Sequence, residues 1–262
     1  MTPGTDEPWT ALGTGFVRGY DSLWGQARTH VVHQHLRHHL PPPPAALIDV
    51  GGGAGNQSIP LAREGYQVTI VDPSPGMLAQ AAARLDQERS EVAERVRLVE
   101  ASGDAVPDLL GEARFAGVLC HGVVMYLEDP EPMIASLCRL AQPTGILSIL
   151  AKNAHTLAMR PAYERDWPGV LNAFDAQHQR NGLGLTTRGD TIEGLTDLLR
   201  RHGAETRAWY GVRLFTEGWG RTEPPTSPQA DVLAAELEAS RRDPYRQLSR
   251  LFHLIAARRP DQ

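Results

Sequence analysis

Lysine is almost missing from this chain: Lys152 is the only one among 26 basic residues, all the others being Arg. A GC-rich coding sequence is the ordinary cause. The net charge is −5, so a broad basic footprint for nucleic acid is excluded, although Arg clusters near the C-terminus can still form a local one. Cysteine is scarce too. Cys120 and Cys138 are the only pair, one of them inside an apolar strand, which fits reduced, buried thiols rather than a disulfide framework. Long hydrophobic runs are absent: Phe115 to Leu127 and Gly145 to Ala151 are too short or too interrupted to cross a bilayer, so no membrane is expected. Met1 to Thr10 shows no basic region followed by an apolar run, hence no secretory signal, and a cytoplasmic protein is expected.

What is present is ordinary globular material. The 262 residues are 41% hydrophobic and 22% charged, enough for one or two domains with a sizeable core. Strand and helix signals alternate from Ala45 to Ala151, the pattern of a parallel sheet covered on both faces. The strands read as Ala45–Val50, Gln67–Val71, Val96–Glu100, Phe115–His121 and Gly145–Ala151, with helices Pro75–Arg89 behind a Ser74 cap and Pro132–Leu140 between them. Beyond Asn153 the pattern predicts a mixed segment to Gly189, a helix Thr191–His202, a strand near Glu205–Tyr210 and a Pro-rich Thr222–Pro228. A helix Gln229–Arg242 and a last run, Leu251–Ala257, follow, the run expected as an edge strand closing the sheet. The expected fold is α/β, doubly wound, with a mostly parallel seven-stranded sheet. Residues 1–44 form a helical lid and Pro spacer, and residues 45–262 the ligand-binding domain with substrate-side insertions after 153.

The first strand runs into Asp49-Val50-Gly51-Gly52-Gly53-Ala54-Gly55, and the second ends on Asp72, 21 residues after Gly51. Glycines let the backbone take positive φ and approach a ligand, and an acid at that distance can accept from both hydroxyls of a ribose. Asn56 breaks the Gly spacing that a dinucleotide pyrophosphate requires. A loop with Gly at 51, 53 and 55 instead suits an amino-acid tail and ribose, and it resembles that of class I S-adenosylmethionine-dependent methyltransferases, with a Rossmann-like fold and Gly51, Gly52 and Gly53 as cofactor-binding candidates.

Phe16–Leu40 reads as an amphipathic stretch ending at Pro41-Pro42-Pro43-Pro44, a stiff spacer, and is expected to close over the crevice as a lid. His35 and His39 have i, i+4 spacing, but no nearby Cys or acid completes a ligand set. No metal is expected there, and these read as solvated helix histidines.

Gly25-Gln26-Ala27-Arg28, Asn153-Ala154-His155, Gly211-Val212-Arg213-Leu214-Phe215, and Asp243-Pro244-Tyr245 with Leu248, Arg250 and His253 to Arg258 extend the resemblance over the whole chain. Together they resemble the tRNA 5-carboxymethoxyuridine methyltransferase family, which esterifies a wobble-uridine carboxylate. The resemblance implies that Arg28 pairs with the methionine carboxylate of the cofactor and that Gly51 and Gly52 present backbone to its tail. It further implies that Asp72 takes the ribose, that Ser102-Gly103-Asp104-Ala105 holds the adenine end, and that His121 touches the cofactor. Two departures bear on the substrate. Ala151-Lys152 replaces an aromatic pair and His178–Arg188 lacks the family's Lys-rich run; Lys152 either compensates for that run or, the favoured reading, snorkels from its strand end.

A carboxylate acceptor is already ionised at pH 7, so no general base is required and no catalytic residue is assigned. The protein must supply alignment, water exclusion and a cation for the acceptor. Arg213 and Arg250 are the candidate cations, and Asn153, His155 and Tyr245 the candidate orienting groups. The tRNA anticodon region is the implied partner. Two readings stay open beside it: a small-molecule O- or N-methyltransferase, using a base such as His121 or His155, and a noncatalytic S-adenosylmethionine-binding protein.

Overall fold

In a computed structural model, residues 19–217 and 228–260 are described; Phe16–Arg18 of the N-terminal stretch and all of the Pro-rich segment except Pro228 lie outside them. The chain order of elements follows from the alternation. Helix α1 (Leu23–His39) is capped by Ser22, whose hydroxyl accepts from the Gly25 N–H. Strand β1 (Ala46–Val50), helix α2 (Ser58–Arg63), strand β2 (Gln67–Asp72), and helices α3 (Pro75–Leu85) and α4 (Ser90–Ala93) come next. Strand β3 (Val96–Glu100), helix α5 (Val106–Leu110), strand β4 (Phe115–His121), helix α6 (Glu131–Leu140) and strand β5 (Ala141–Lys152) complete the parallel part.

The mixed segment after Asn153 contains helices α7 (Met159–Tyr163) and α8 (Trp167–Ala173) and a small hairpin, β6 (His178–Arg180) and β7 (Thr186–Arg188). Helix α9 (Ile192–Arg201) starts one residue after its Thr191 cap and leads to β8 (Ala204–Val212). Helix α10 (Gln229–Ala239) and β9 (Leu251–Arg258) end the chain.

The main sheet has seven strands in the order β3-β2-β1-β4-β5-β9-β8, as expected for this class of fold. One expectation is corrected. Leu251–Ala257 is not an edge strand: β9 runs antiparallel between β5 and β8, pairing with both. Leu251 through Ala257 are accordingly all buried, as neighbours on both edges and covered faces require. Strand β8 takes the edge instead. The helix expected to run from Pro75 to Arg89 also ends early, at Leu85, and a separate turn begins at Ser90.

Two apolar layers flank the sheet. On one face Ile134 and Leu137 of α6 and Leu195 and Leu199 of α9 meet Ile48, Val118, Leu147 and Phe252. On the other, Val31, Val32 and Leu36 of α1 and Leu61 of α2 meet Leu47, Ile70, Leu119 and Leu150. Each of these apolar side chains is essentially inaccessible and contributes about 1.5–3 kcal/mol relative to exposure. Helix α1 is thereby anchored along its C-terminal two-thirds, and its first turns, with Trp24 and Arg28, face the carboxyl ends of the strands.

Anchoring changes the reading of its histidines. His35 is buried, not solvated: its ring stacks on Tyr210 at 3.6 Å and its Nε2 shares a 3.0 Å hydrogen bond with the Ser240 hydroxyl. His39 meets the Tyr210 hydroxyl at 2.8 Å.

Candidate functional site

Strand β1 enters the loop through Asp49 and Val50, and Gly51, Gly53 and Gly55 all adopt positive φ (74°, 54° and 74°). The Gly51 and Gly52 N–H groups both donate to the Val71 carbonyl, at 2.7 and 3.2 Å, which curls the loop back over the end of β2. A Cβ on Gly51 would lie 2.3 Å from the Val123 Cγ2, so only glycine fits where the loop meets the end of β4. Asp72 closes the other side. Its carboxylate accepts from the Gly53 N–H and from the Ser74 N–H, each at 2.9 Å, and so welds the loop to the end of β2.

Asp49 was not singled out by sequence reasoning, yet it is the buried acid under the loop. Its Oδ2 accepts from the Ser58 hydroxyl at 2.6 Å, while its Oδ1 is buried with no partner among the described residues. Burial raises its pKa from 3.8 to about 6, opposed by the Ser58 hydrogen bond and the Arg28 charge. A carboxylate in the otherwise apolar run Leu47-Ile48-Asp49-Val50 was the available signal. The orphaned oxygen, the Cβ-free cradle and Asp72 together fit the ammonium, tail and ribose of S-adenosylmethionine.

Arg28 reaches across the crevice. One guanidinium nitrogen donates to the His121 carbonyl at 3.1 Å and the other to the Tyr20 hydroxyl at 2.6 Å, joining α1 to the end of β4. It does not point into solvent. Gly122, at φ 79°, leaves the room this requires, since a Cβ there would sit 3.1 Å from the Arg28 Nη2. The Ser102–Ala105 turn follows β3; a Cβ on Gly103 would press within 2.4 Å of Met133, and Asp104 beside it is exposed.

The His121 ring is engaged inside the sheet: its Nε2 lies 2.8 Å from the Ser148 Oγ, which lies 2.6 Å from the His253 Nε2. One hydroxyl can donate to one imidazole only and accepts from the other, so the two rings carry different tautomers. Burial drives the pKa of His121 down to about 3, with a contribution from Arg28, and that of His253 well below its usual value. Both are neutral.

The proposed acceptor residues gather at the same edge of the sheet. Lys152 ends β5, Arg250 precedes the antiparallel β9 and Arg213 follows β8, and Leu251 pairs with both Lys152 and Val212. Register alone therefore makes these three cations neighbours. Glu217 bridges two of them, accepting a short bond from the Arg213 Nη2 and lying 3.5 Å from the Arg250 Nε. Arg250 also donates to the Gln179 Oε1 at 3.1 Å.

The Arg213 guanidinium lies 4.2 Å over the Trp24 ring, its Nε has no partner among the described residues, and its backbone is held at φ 64°. Lys152 does not snorkel. It is 2% exposed and donates to the Thr187 hydroxyl at 2.7 Å, and burial lowers its pKa to about 7, followed by the Arg250 and Arg160 charges. Neither its burial nor its partner was visible in sequence, because Thr187 lies on a hairpin 35 residues away.

The orienting candidates separate. Asn153 is buried and committed: its amide donates to the Gln247 and Ser249 carbonyls, both at 3.0 Å, and its oxygen accepts from the His155 N–H. It fixes the joint between β5 and the Tyr245–Leu248 turn. His155 is exposed, and Tyr245 is 47% exposed, its ring 6.2 Å from Phe215. A cleft of about 400 Å³ opens next to the cluster and shares Gln179 with it; Arg160, Glu164, His178, Arg180 and Asn181 also line it.

Comparison with known proteins agrees with this geometry. Residues 48–149 match the methyltransferase domain family. The tRNA 5-carboxymethoxyuridine methyltransferase of Escherichia coli is 26% identical over 244 residues, covering 92% of this chain and 91% of that protein. A ubiquinone biosynthesis O-methyltransferase of Methylobacterium nodulans is 36% identical over 163 residues, 57% of this chain and 63% of that protein. Among solved structures, the magnesium protoporphyrin IX methyltransferase of Synechocystis with bound SAH superposes with a TM-score of 0.64 at 16% identity, covering 96% of this chain and 97% of that one.

Proposed function

We propose that this chain, an S-adenosylmethionine-dependent methyltransferase with the class I fold, methylates the carboxylate of a modified wobble uridine in the anticodon of a tRNA. The observation that carries the reading is the buried cation cluster. Buried Lys152 and Arg250 and half-buried Arg213 converge at the carboxyl edge of the sheet, and among the described residues Glu217 is the one carboxylate within ion-pair distance of these arginines, an environment suited to an anionic acceptor. The similarity to the Escherichia coli enzyme supports it, since that match extends over 92% of this chain and so well beyond the cofactor loop.

Gly51, Gly52, Gly53, Asp49, Asp72 and Arg28 would hold the cofactor, with Gly103 and Asp104 at its adenine end and His121 lending its carbonyl to Arg28. Bound there, the cofactor supplies an electrophilic methyl group. The chain's own work is placement. Arg213 and Arg250 fix the acceptor carboxylate, His155 and Tyr245 flank it, and Asn153 sets the joint they stand on. No proton has to be removed from an ionised carboxylate, which agrees with a site whose buried histidines are locked to Ser148.

Purified protein should transfer labelled methyl from S-adenosylmethionine to tRNA bearing carboxymethoxyuridine, and nucleoside mass spectrometry should find a methyl ester that mild alkali removes. At saturating cofactor, where ionisation of Asp49 no longer limits binding, the rate should show no ascending limb near ~6.5, the pKa of an unperturbed His. Failure on such tRNA, with turnover of a hydroxyl- or amine-bearing metabolite and a rise near that pH, would establish the small-molecule reading instead.

A further inference from the structure

We infer that Glu217 is the built-in counter-ion of the acceptor site, exchanging places with the acceptor carboxylate at each turnover. The inference rests on the carboxylate reading above and adds a residue with an electrostatic task of its own. Buried guanidinium groups without an anion are costly, so Arg213 and Arg250 need a negative partner whenever the acceptor is away. Glu217 is that partner for both, by the contacts to the Arg213 Nη2 and the Arg250 Nε.

The other acids nearby are already engaged. Glu236, buried beneath the turn, accepts from the Leu214 N–H at 3.0 Å and from the Thr216 N–H and hydroxyl at 2.7 Å each. Glu164 pairs with Arg160 at 2.8 Å. Glu236 thus pins the turn from Arg213 to Glu217, and Glu217 is the carboxylate placed to move between pairing and release. Trp24 stacks on Arg213 one helical turn from Arg28, so the exchange takes place beside the cofactor crevice.

Charge changes hands during the reaction. As the carboxylate oxygen forms its bond to the methyl carbon, the carbon–sulfur bond breaks and its electron pair stays on sulfur. The negative charge of the acceptor and the positive charge of the sulfonium vanish together, and no proton moves. The product is a neutral ester that no longer competes with a carboxylate for a guanidinium fork. Glu217 then re-pairs with both arginines and favours release of the ester, while disfavouring any neutral molecule as acceptor.

Glu217→Gln keeps the size and removes the charge. With carboxymethoxyuridine-bearing tRNA we expect KM for the acceptor to fall about fivefold and inhibition by the ester product to tighten by a similar factor, as one competing charge is lost. Independently of turnover, sodium acetate should raise the melting temperature of E217Q, filling the vacated anion position, and leave wild type unchanged relative to sodium chloride. Glu217→Asp, with its charge one methylene further from Arg213, should show the same changes at smaller size and serves if the amide variant folds poorly. Acetate stabilisation of E217Q without any tRNA methylation by wild type would leave the counter-ion role standing and remove the tRNA reading. A higher acceptor KM in E217Q, together with no acetate effect, would overturn the inference and reduce Glu217 to a prop for the arginines.

Discussion

Arg28 is held at two points before any ligand arrives, the Tyr20 hydroxyl and the His121 carbonyl, and this makes its substitution informative. A guanidinium can keep both contacts and still direct a remaining edge at a carboxylate; an ammonium is a point charge that cannot span them. Arg28→Lys should therefore weaken S-adenosylhomocysteine by about tenfold or more in calorimetry, the scale of one charge-assisted hydrogen bond, although net charge is conserved. Equal affinity in the two proteins would mean that Arg28 only bridges α1 to β4. At this scale the cofactor half was readable from the chain because its parts are local: β1, the glycines, β2 and Asp72 follow one another within a single βαβ unit. Lys152 and Glu217 were not, since each is defined by a partner that only the folded sheet brings near.

Among the elements, the four strands from β4 to β8 share a buried polar line. His121, Ser148 and His253 are linked by hydrogen bonds, and Tyr210 stacks on His35 of α1. His35 and His121 are both depressed to about 3 and His253 well below normal, all by burial first; His39, His38, Arg241 and His30 add to the effect on His35. A histidine whose folded pKa lies below its unfolded value of about 6.5 gives stability that is complete above that pH and is lost as pH falls toward the folded pKa. Asp49, raised to about 6, acts in the opposite sense between about 4 and 6, and buried Asp190, raised by desolvation, adds to it, while His30 and His39, lowered by burial, act with the other histidines. The unfolding free energy from urea titration should therefore drop steeply between pH 6.5 and 5, by up to about 1.4 kcal/mol per pH unit for each buried histidine, and His253→Gln should flatten the slope. A pH-independent unfolding free energy would show that these rings are not held neutral. Sequence could not place this line. The position of β9 between β5 and β8 is a pairing over about a hundred residues, and an apolar run looks the same at an edge or in the middle of a sheet until its neighbours are known.

For the whole molecule the question is how a chain of net charge −5 would hold RNA at all. Long-range attraction cannot do it, so recognition has to be local and short-range. Tyr163 ends α7, Trp167 and Leu171 lie on α8 and Phe174 follows it directly, with Trp167 64% and Phe174 70% exposed, beside the cleft that shares Gln179 with Arg250. Arg165 and Arg180 are exposed nearby and pair with no carboxylate among the described residues. Exposed aromatic rings next to free guanidinium groups suit unpaired bases, which stack on them for about 1–3 kcal/mol each whatever their identity. Replacing Trp167 and Phe174 together by Ala should then lower kcat/KM for carboxymethoxyuridine-bearing tRNA by roughly ten- to a hundredfold and leave cofactor affinity alone. The same variant should turn over the isolated modified nucleoside as wild type does, because the cation cluster is untouched, and the salt dependence of tRNA binding should be shallow, because few phosphates are contacted. Equal losses on tRNA and nucleoside would place these rings in the support of the hairpin rather than on the RNA. A change in mass by light scattering, with tRNA activity kept, would assign the stripe to contact between two copies of the chain, and the anticodon would then have to be held by the Tyr245 and Phe215 side of the crevice.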